Sequence, residues 1–105
     1  MSVSAQWSGD RCRLGIDDDL TIYTAAALKQ ALLDPLGKAD EVELELSRVA
    51  ECDTAGFQLL VLLKREAEAE GKRLSLTGHS PAVLKVFDLY SMAGYFGDPL
   101  VIPSA

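Results

Sequence analysis

The sequence contains few of the side chains from which metal sites and hydrolytic active sites are built. It has one histidine, His79, and two cysteines, Cys12 and Cys52. The cysteines form no C-x-x-C pair and lack the density of disulfide-rich secreted scaffolds, so we expect both to be reduced and buried. One histidine cannot supply zinc-ligand spacing or a separate base for a catalytic triad. We therefore predict no metal, no catalytic residue and no enzymatic activity.

Basic residues and long apolar runs are also scarce. Ten Lys and Arg against sixteen Asp and Glu give a formal net charge of −6, which disfavours a nucleic-acid partner. The longest apolar run, 59–63, is far shorter than the roughly 20 residues that cross a bilayer, and no leader-like segment opens the chain. No Gly-rich phosphate loop follows a predicted strand. We expect a cytoplasmic protein without membrane insertion or cofactor.

The remaining composition, 49% hydrophobic and 25% charged, is typical of one soluble domain over residues 1–105. Alternating apolar residues predict strands at 11–16, 41–47 and 73–77. The segment 20–23 is rich in strand-forming residues and follows three aspartates, so we predict an antiparallel hairpin with 11–16. Phe96 to Ile102 could add a final strand.

Three helices separate these strands. Thr24 is a candidate N-cap of a helix over 25–36, which we expect Pro35 to break near Asp34. Thr54 is a candidate cap of a second helix that ends before Gly71, and Ser80 caps a third that ends at Gly94. The order predicts an α/β domain with parallel later strands, and the one-sided charge pattern predicts helices covering mainly one face of the sheet.

The second helix has two distinct faces. Its core face is predicted at Leu59, Leu60, Leu63 and Ala67, with Phe57 at the margin. A second stripe contains Thr54, Gln58, Val61 and Arg65, with Leu62 beside it. The stripe is typical of a partner-docking surface, although Val61 and Leu62 could equally pack against a neighbouring helix. A hydroxyl at a helix start can cap the helix or carry a phosphate.

The segment 53–60, D-T-A-G-F-Q-L-L, resembles the D-S/T-x-G-x-x-L-L signature of STAS domains, the family of bacterial anti-sigma factor antagonists. Segments 20–25, 42–47 and 78–83 extend the similarity over nearly the whole chain. Segments 20–25 and 97–102 look most like small STAS proteins associated with chemotaxis-type signalling. The resemblance implies an α/β, STAS-like fold with a mixed four- to five-stranded sheet and helices packed mainly on one face.

The resemblance also implies a function and a set of site residues. Thr54 aligns with the hydroxyl residue phosphorylated in the antagonists, and Asp53 with the acid before it. The implied partners are an anti-sigma factor that is also a serine/threonine protein kinase, and a phosphatase that restores binding. The expected partner-binding residues are Asp53, Thr54, Ala55, Gly56, Gln58, Val61, Leu62 and Arg65. The alternative is a constitutive, non-phosphorylated STAS subunit of a transport or chemosensory complex.

Overall fold

A four-stranded mixed sheet and three helices form the part of the chain that the structure, a computed structural model, describes, residues 3–90. The elements are β1 (Val3–Ser8), β2 (Arg11–Ile16), α1 (Ala25–Lys38), β3 (Glu41–Glu45), α2 (Thr54–Ala69), β4 (Arg73–Thr77) and α3 (Pro81–Tyr90). Strands lie in the order β1-β2-β3-β4, with β1 antiparallel to β2 and the other neighbours parallel. The predicted α/β fold with a mixed sheet is confirmed.

The predicted hairpin between 11–16 and 20–23 is wrong. The partner of β2 is β1, reached through a turn in which Gly9 has a φ of 59°. Because β1 and β3 occupy both edges of β2, no edge is left for residues 20–23. Leu20 instead makes one isolated parallel bridge with Cys52, and the following residues form a turn, called here the 21–24 turn.

The core lies on one side of the sheet, where the helices pack. Alternate residues of β2, β3 and β4 are buried against the buried faces of the helices. The other side carries cross-strand ion pairs, Arg11 with Glu41 and Arg13 with Glu43, each at 3.1 Å. These pairs follow from the parallel register, which places each arginine beside its glutamate. The strand residues on the buried side are Cys12, Leu14, Ile16, Val42, Leu44, Leu74 and Leu76.

Helix α1 continues through Pro35 to Lys38, so the predicted break near Asp34 is wrong. The last turn is held on both sides: Leu36 is buried in the core, and Lys72 Nζ donates to the Leu36 carbonyl at 2.7 Å. These contacts offset the backbone hydrogen bond that a proline cannot donate. Leu28, Leu32 and Leu36 are all buried, as their helical spacing predicts.

Helix α3 begins as predicted. Ser80 Oγ accepts from the Val83 backbone N–H at 3.3 Å, and Pro81 is the first helical residue. Three predictions concern residues outside the described part of the chain. They are the helix end at Gly94, the strand at 96–102 and the resemblance of segment 97–102. Both cysteines are free, Cys12 buried and Cys52 half-buried.

Candidate partner-binding site

The start of helix α2 is capped by Asp53 and not by Thr54, so the prediction of Thr54 as the N-cap is wrong. Asp53 has extended backbone angles, and its Oδ1 accepts from the Gly56 N–H at 3.0 Å. Its carbonyl accepts the first helical hydrogen bond, from Phe57 N at 2.9 Å. A carboxylate is a strong N-cap acceptor and favours the positive end of the helix dipole. Thr54 is therefore the first helical residue, and its side chain is exposed.

The second oxygen of Asp53 joins the helix start to the 21–24 turn. Oδ2 accepts from the Ile22 N–H at 3.0 Å, across 31 positions of sequence. The hydrogen bond from Ile22 and, to a smaller extent, the hydrogen bond from Gly56 lower the pKa of Asp53 below its ordinary value. The carboxylate is thus ionised at neutral pH, and its negative charge lies directly beside Thr54.

Gly56 allows the backbone of Leu20 to pack directly on the first turn of α2. A Cβ at this position would overlap the Leu20 carbonyl oxygen and lie 2.5 Å from its carbon and 2.7 Å from Leu20 Cβ. Leu20 is held there because its N–H donates to Glu51 O at 2.8 Å and its carbonyl accepts from Asp53 N at 3.0 Å. The Asp-Thr-x-Gly sequence thus provides a cap, an exposed hydroxyl residue and a close backbone contact.

The 21–24 turn is itself tightly bonded. Thr24 Oγ1 donates to Asp19 O at 2.5 Å and accepts from Thr21 N at 3.0 Å. Asp19 Oδ1 accepts from Glu51 N at 3.1 Å, which ties the turn to the segment before α2. Thr24 occupies the cap position of α1, as predicted, but its side chain makes no cap hydrogen bond. Its hydroxyl stabilises the turn instead.

The structure places the predicted partner-binding residues unevenly along α2. Thr54, Gln58 and Arg65 are exposed, whereas Val61 and Leu62 are half-buried and pack against the core. Arg65 lies about 16 Å along the helix axis from Thr54, at 1.5 Å per residue. The remaining members lie at the helix start: the cap residue Asp53 and Ala55 are half-buried, and Gly56 is buried.

The predicted core face of α2 is confirmed. Leu59, Leu60, Leu63 and Ala67 are buried. Phe57, which we expected at the margin, is also buried, and its ring packs edge-on against Phe87 with centroids 5.5 Å apart. This contact joins α2 to α3 behind the site.

Two large apolar side chains of the site were missed by the sequence analysis. Ile22 is 68% exposed and Tyr23 is 93% exposed. Both lie on the turn that Asp53 binds, so they are held next to the start of α2. The pattern at 20–23 is typical of a strand, and a strand would have paired these residues within the sheet. The only sequence signal against a strand at 20–23 was the three aspartates before the segment and the threonines around Ile22 and Tyr23.

An open depression of about 500 Å³ lies between the 21–24 turn, the segment 50–53 and α3. Carboxylates of Asp19, Glu51 and Asp53 line it, and Lys85 of α3 supplies a basic side chain. Cys52 also lines it, but burial, with the charge of Asp53, raises the pKa of this thiol to about 11, so it is a poor nucleophile at neutral pH.

Among residues 3–90, no group of three or more His, Cys, Asp or Glu is placed to hold a metal ion. Over the same residues, no helix combines the length and apolar character needed to cross a membrane.

Comparison with known families decides the classification. A family model described as "Mlab, STAS domain" matches residues 3–102. The chain belongs to the STAS domain family. No curated protein matches this STAS domain significantly.

Solved structures share the fold at low sequence identity. An anti-sigma factor antagonist of Thermotoga maritima, itself designated putative, has a TM-score of 0.82 at 20% identity, over 95% of this chain and 87% of the other. An anti-sigma factor antagonist from Mycobacterium paratuberculosis has a TM-score of 0.82 at 15% identity, over 95% and 86%. The Bacillus cell fate determinant SpoIIAA in its phosphorylated form has a TM-score of 0.69 at 18% identity, over 93% and 91%. These similarities show that the STAS fold is common to all of them.

Proposed function

We propose that the chain, as a single STAS-like domain, is a non-enzymatic partner switch of the anti-sigma factor antagonist type. It binds a cognate kinase that is also an anti-sigma factor, phosphorylation of Thr54 breaks the complex, and a phosphatase restores it. The observation that carries the proposal is the exposed Thr54 at the start of α2, directly beside the Asp53 carboxylate. The phosphorylated form of the structurally similar SpoIIAA supports it.

The geometry explains how a phosphate would act without unfolding the helix. The N–H of Gly56 is already held by Asp53, so the cap does not depend on the Thr54 side chain. A phosphate would add about −1.5 to −2 charges next to Asp53 and Glu51. The helix dipole offsets part of this charge within the chain, but a partner that buries the surface would have to desolvate the phosphate. Loss of binding is therefore expected from charge alone.

Ile22 and Tyr23 provide the apolar part of the proposed interface. Their exposure, 68% and 93%, contrasts with the half-buried Val61 and Leu62 of α2. Exposed apolar side chains beside a polar switch residue are typical of a protein-binding surface. We therefore place the centre of the interface between the 21–24 turn and the first turn of α2, with Gln58 and Arg65 further along the helix.

The switch is tested by incubating the protein with the candidate kinase and ATP and measuring its mass. We expect one phosphate on the native chain and none on Thr54→Ala. Thr77→Ala, which removes a half-buried threonine hydroxyl from the open face of the sheet, is the matched control and should still gain one. If Thr54→Ala and Thr54→Glu bind the kinase as tightly as the native chain, the switch is refuted.

The interface is tested by a matched pair of exposed apolar residues. Ile22→Asp places a charge in the proposed interface, whereas Leu89→Asp places the same charge on α3, where Leu89 is 74% exposed. We expect Ile22→Asp to weaken kinase binding by at least about tenfold, and Leu89→Asp to bind normally. Leu62→Asp should also weaken binding, but Leu62 packs against the core, so its folding must be measured alongside.

A second candidate function is a constitutive STAS subunit of a transport or chemosensory complex, in which Thr54 is only a contact residue. The matched family model is described by the name Mlab and not as an anti-sigma factor antagonist, which favours this alternative. In that case Thr54→Glu and Thr54→Ala would differ little in assembly, and Ile22→Asp would still disrupt it. The pair of experiments therefore separates the two functions.

A further inference from the structure

Among the described residues 3–90, strand β1 forms an edge of the sheet that lacks the usual protection against pairing with another strand. Within residues 3–90, β1 pairs only with β2. Its sequence, V-S-A-Q-W-S, contains no charged residue and no proline. All six of its residues pair in continuous register with β2, so there is no bulge. Natural edge strands commonly carry one of these devices because unpaired backbone groups are a template for further strands.

The two faces of β1 have different chemistry. Ala5 and Trp7 are in register with Leu14 and Cys12, which places them on the helix-covered side of the sheet. Both remain exposed at this edge, Trp7 by 48%. Ser4, Gln6 and Ser8 lie on the open side, in register with the open-side residues of β2. The open-side series Ser-Gln-Ser is symmetric about Gln6.

We propose that two copies of the chain pair through antiparallel β1 strands, with a twofold axis passing through Gln6. Directly opposite side chains of an antiparallel pair lie on the same face of the sheet. The twofold axis must therefore place one residue opposite the same residue of the second copy. An axis at Gln6 places Ser4 opposite Ser8 of the second copy, Ala5 opposite Trp7, and Gln6 opposite Gln6.

This register is self-complementary. The small Ala5 leaves room for the large Trp7 of the second copy, and the contact removes apolar surface of both from water. The glutamine amide has both a donor and an acceptor, so two such groups can hydrogen-bond to each other. The outward N–H and C=O groups of both strands become paired.

The charge distribution permits the contact but limits its strength. Each copy has a net charge of −6, which opposes association, yet β1 itself is uncharged. The neighbouring β2 contributes Arg11 and Arg13, each paired with a glutamate. A contact between two six-residue strands is smaller than the standard interfaces that bury about 1,600 Å². We therefore expect a weak, reversible dimer that strengthens as salt screens the net charge.

The dimer is independent of the proposed partner switch. A twofold axis perpendicular to the sheet leaves the helices of both copies on the same side of the sheet. The parallel strands β2, β3 and β4 of one copy then run opposite to those of the other copy. The Thr54 ends of the two copies then point away from each other. Both partner-binding sites stay accessible, so failure of either proposal leaves the other standing.

The only tryptophan of the sequence, Trp7, lies in the proposed contact and reports on it. We expect its emission to shift to the blue as the concentration of the full chain rises from about 1 μM to about 1 mM, together with a rise in mass by sedimentation from 11.3 kDa to twice that value. Ala5→Lys should weaken association by about tenfold or more. Ala26→Lys, which adds the same charge at an exposed alanine of α1, should not.

Cysteine cross-linking tests the register. With the axis at Gln6, Gln6→Cys places two thiols directly opposite each other, whereas the two thiols of Ser4→Cys lie about 13 Å apart, beyond the reach of a disulfide. The native thiols should react little, since Cys12 is buried and burial, with the charge of Asp53, raises the pKa of Cys52 to about 11. We expect a covalent dimer from Gln6→Cys and little from Ser4→Cys under mild oxidation. A monomeric mass at every concentration, or equal cross-linking of both variants, would overturn the proposal.

Discussion

Two nearly identical tripeptides stand at the starts of α1 and α2: Thr24-Ala25-Ala26 and Thr54-Ala55-Gly56. At the first, the Thr24 hydroxyl is bonded within the 21–24 turn, to Asp19 O and Thr21 N. At the second, Asp53 caps the helix and Thr54 lies exposed in its first turn. The same residue type is thus half-buried in a hydrogen-bonded turn in one place and exposed in the first helical turn in the other.

The residues on either side of each threonine account for the difference. Tyr23 precedes Thr24 and cannot act as a cap, whereas Asp53 precedes Thr54 and takes the cap hydrogen bond. Ala26 is exposed, but its counterpart Gly56 is buried against the Leu20 backbone. At the start of α2, the preceding acid caps the helix and the glycine packs against the Leu20 backbone, while the threonine between them is exposed.

The largest expected effect comes from removing that glycine. Gly56→Ala would force a methyl group into the Leu20 backbone, which cannot move without breaking the bonds to Glu51 and Asp53. We expect a loss of more than about 3 kcal/mol in the free energy of unfolding, measured by urea denaturation. Gly37→Ala in α1, with open space around the new methyl group, should instead stabilise by about 0.4–1 kcal/mol. Equal effects of the two would remove the basis for the Gly56 contact.

The two threonines themselves are the next comparison. Thr24→Ala removes the donor to Asp19 O and the acceptor of Thr21 N in a half-buried turn, so we expect a loss of about 1–3 kcal/mol. Thr54→Ala changes an exposed residue that does not cap the helix, and should alter stability by no more than about 0.5 kcal/mol. Urea denaturation followed by helical circular dichroism measures both. Similar losses would mean that Thr54 also has a structural role.

Ser80 extends the comparison to the third helix start. Its hydroxyl does accept from a first-turn N–H, that of Val83, and the side chain is buried. Ser80→Ala should therefore cost about 1 kcal/mol, between the values for Thr24 and Thr54. The same urea titration tests this order, and a loss no larger than that of Thr54→Ala would contradict it.

The smallest effect concerns pH. The hydrogen bonds from Ile22 and Gly56 lower the pKa of Asp53 in the folded chain. Its stabilisation is then complete above the unfolded pKa of about 3.9 and is lost as the pH falls through the lower folded value. Asp53→Asn should flatten the dependence of stability on pH below about pH 4, measured by thermal unfolding. Asp88→Asn removes the same charge from an exposed position of α3 and so controls for net charge. An identical dependence of stability on pH for both variants would disprove the link between Asp53 ionisation and stability.

Much of the fold was predictable because its elements carry local signals. The alternation in β2, β3 and β4 and the spacing of Leu28, Leu32 and Leu36 identified buried faces correctly. The Ser80-Pro81 start of α3 was equally clear. Strand β1 was missed because V-S-A-Q-W-S shows only weak alternation of polar and apolar residues.

The wrong hairpin at 20–23 and the wrong helix break near Asp34 have a common physical cause, which is competition between segments. Residues 20–23 have strand-forming side chains, but β1 and β3 already occupy both edges of β2. Pro35 has a local preference to end a helix, but the burial of Leu36 and the bond from Lys72 outweigh it. None of these competitors is visible in the local sequence.

The sequence by itself determined the α/β class, the alternation of helices and strands after β2, the one-sided sheet, and the position of a threonine at a helix start within a STAS-like motif, because these depend on periodicity and nearby residues. Only the tertiary structure decided that the second oxygen of Asp53 holds Ile22 and that Ile22 and Tyr23 lie exposed near the start of α2. The reason is that the bond between Asp53 and Ile22 joins residues 31 positions apart, and its geometry depends on which strands fill the sheet.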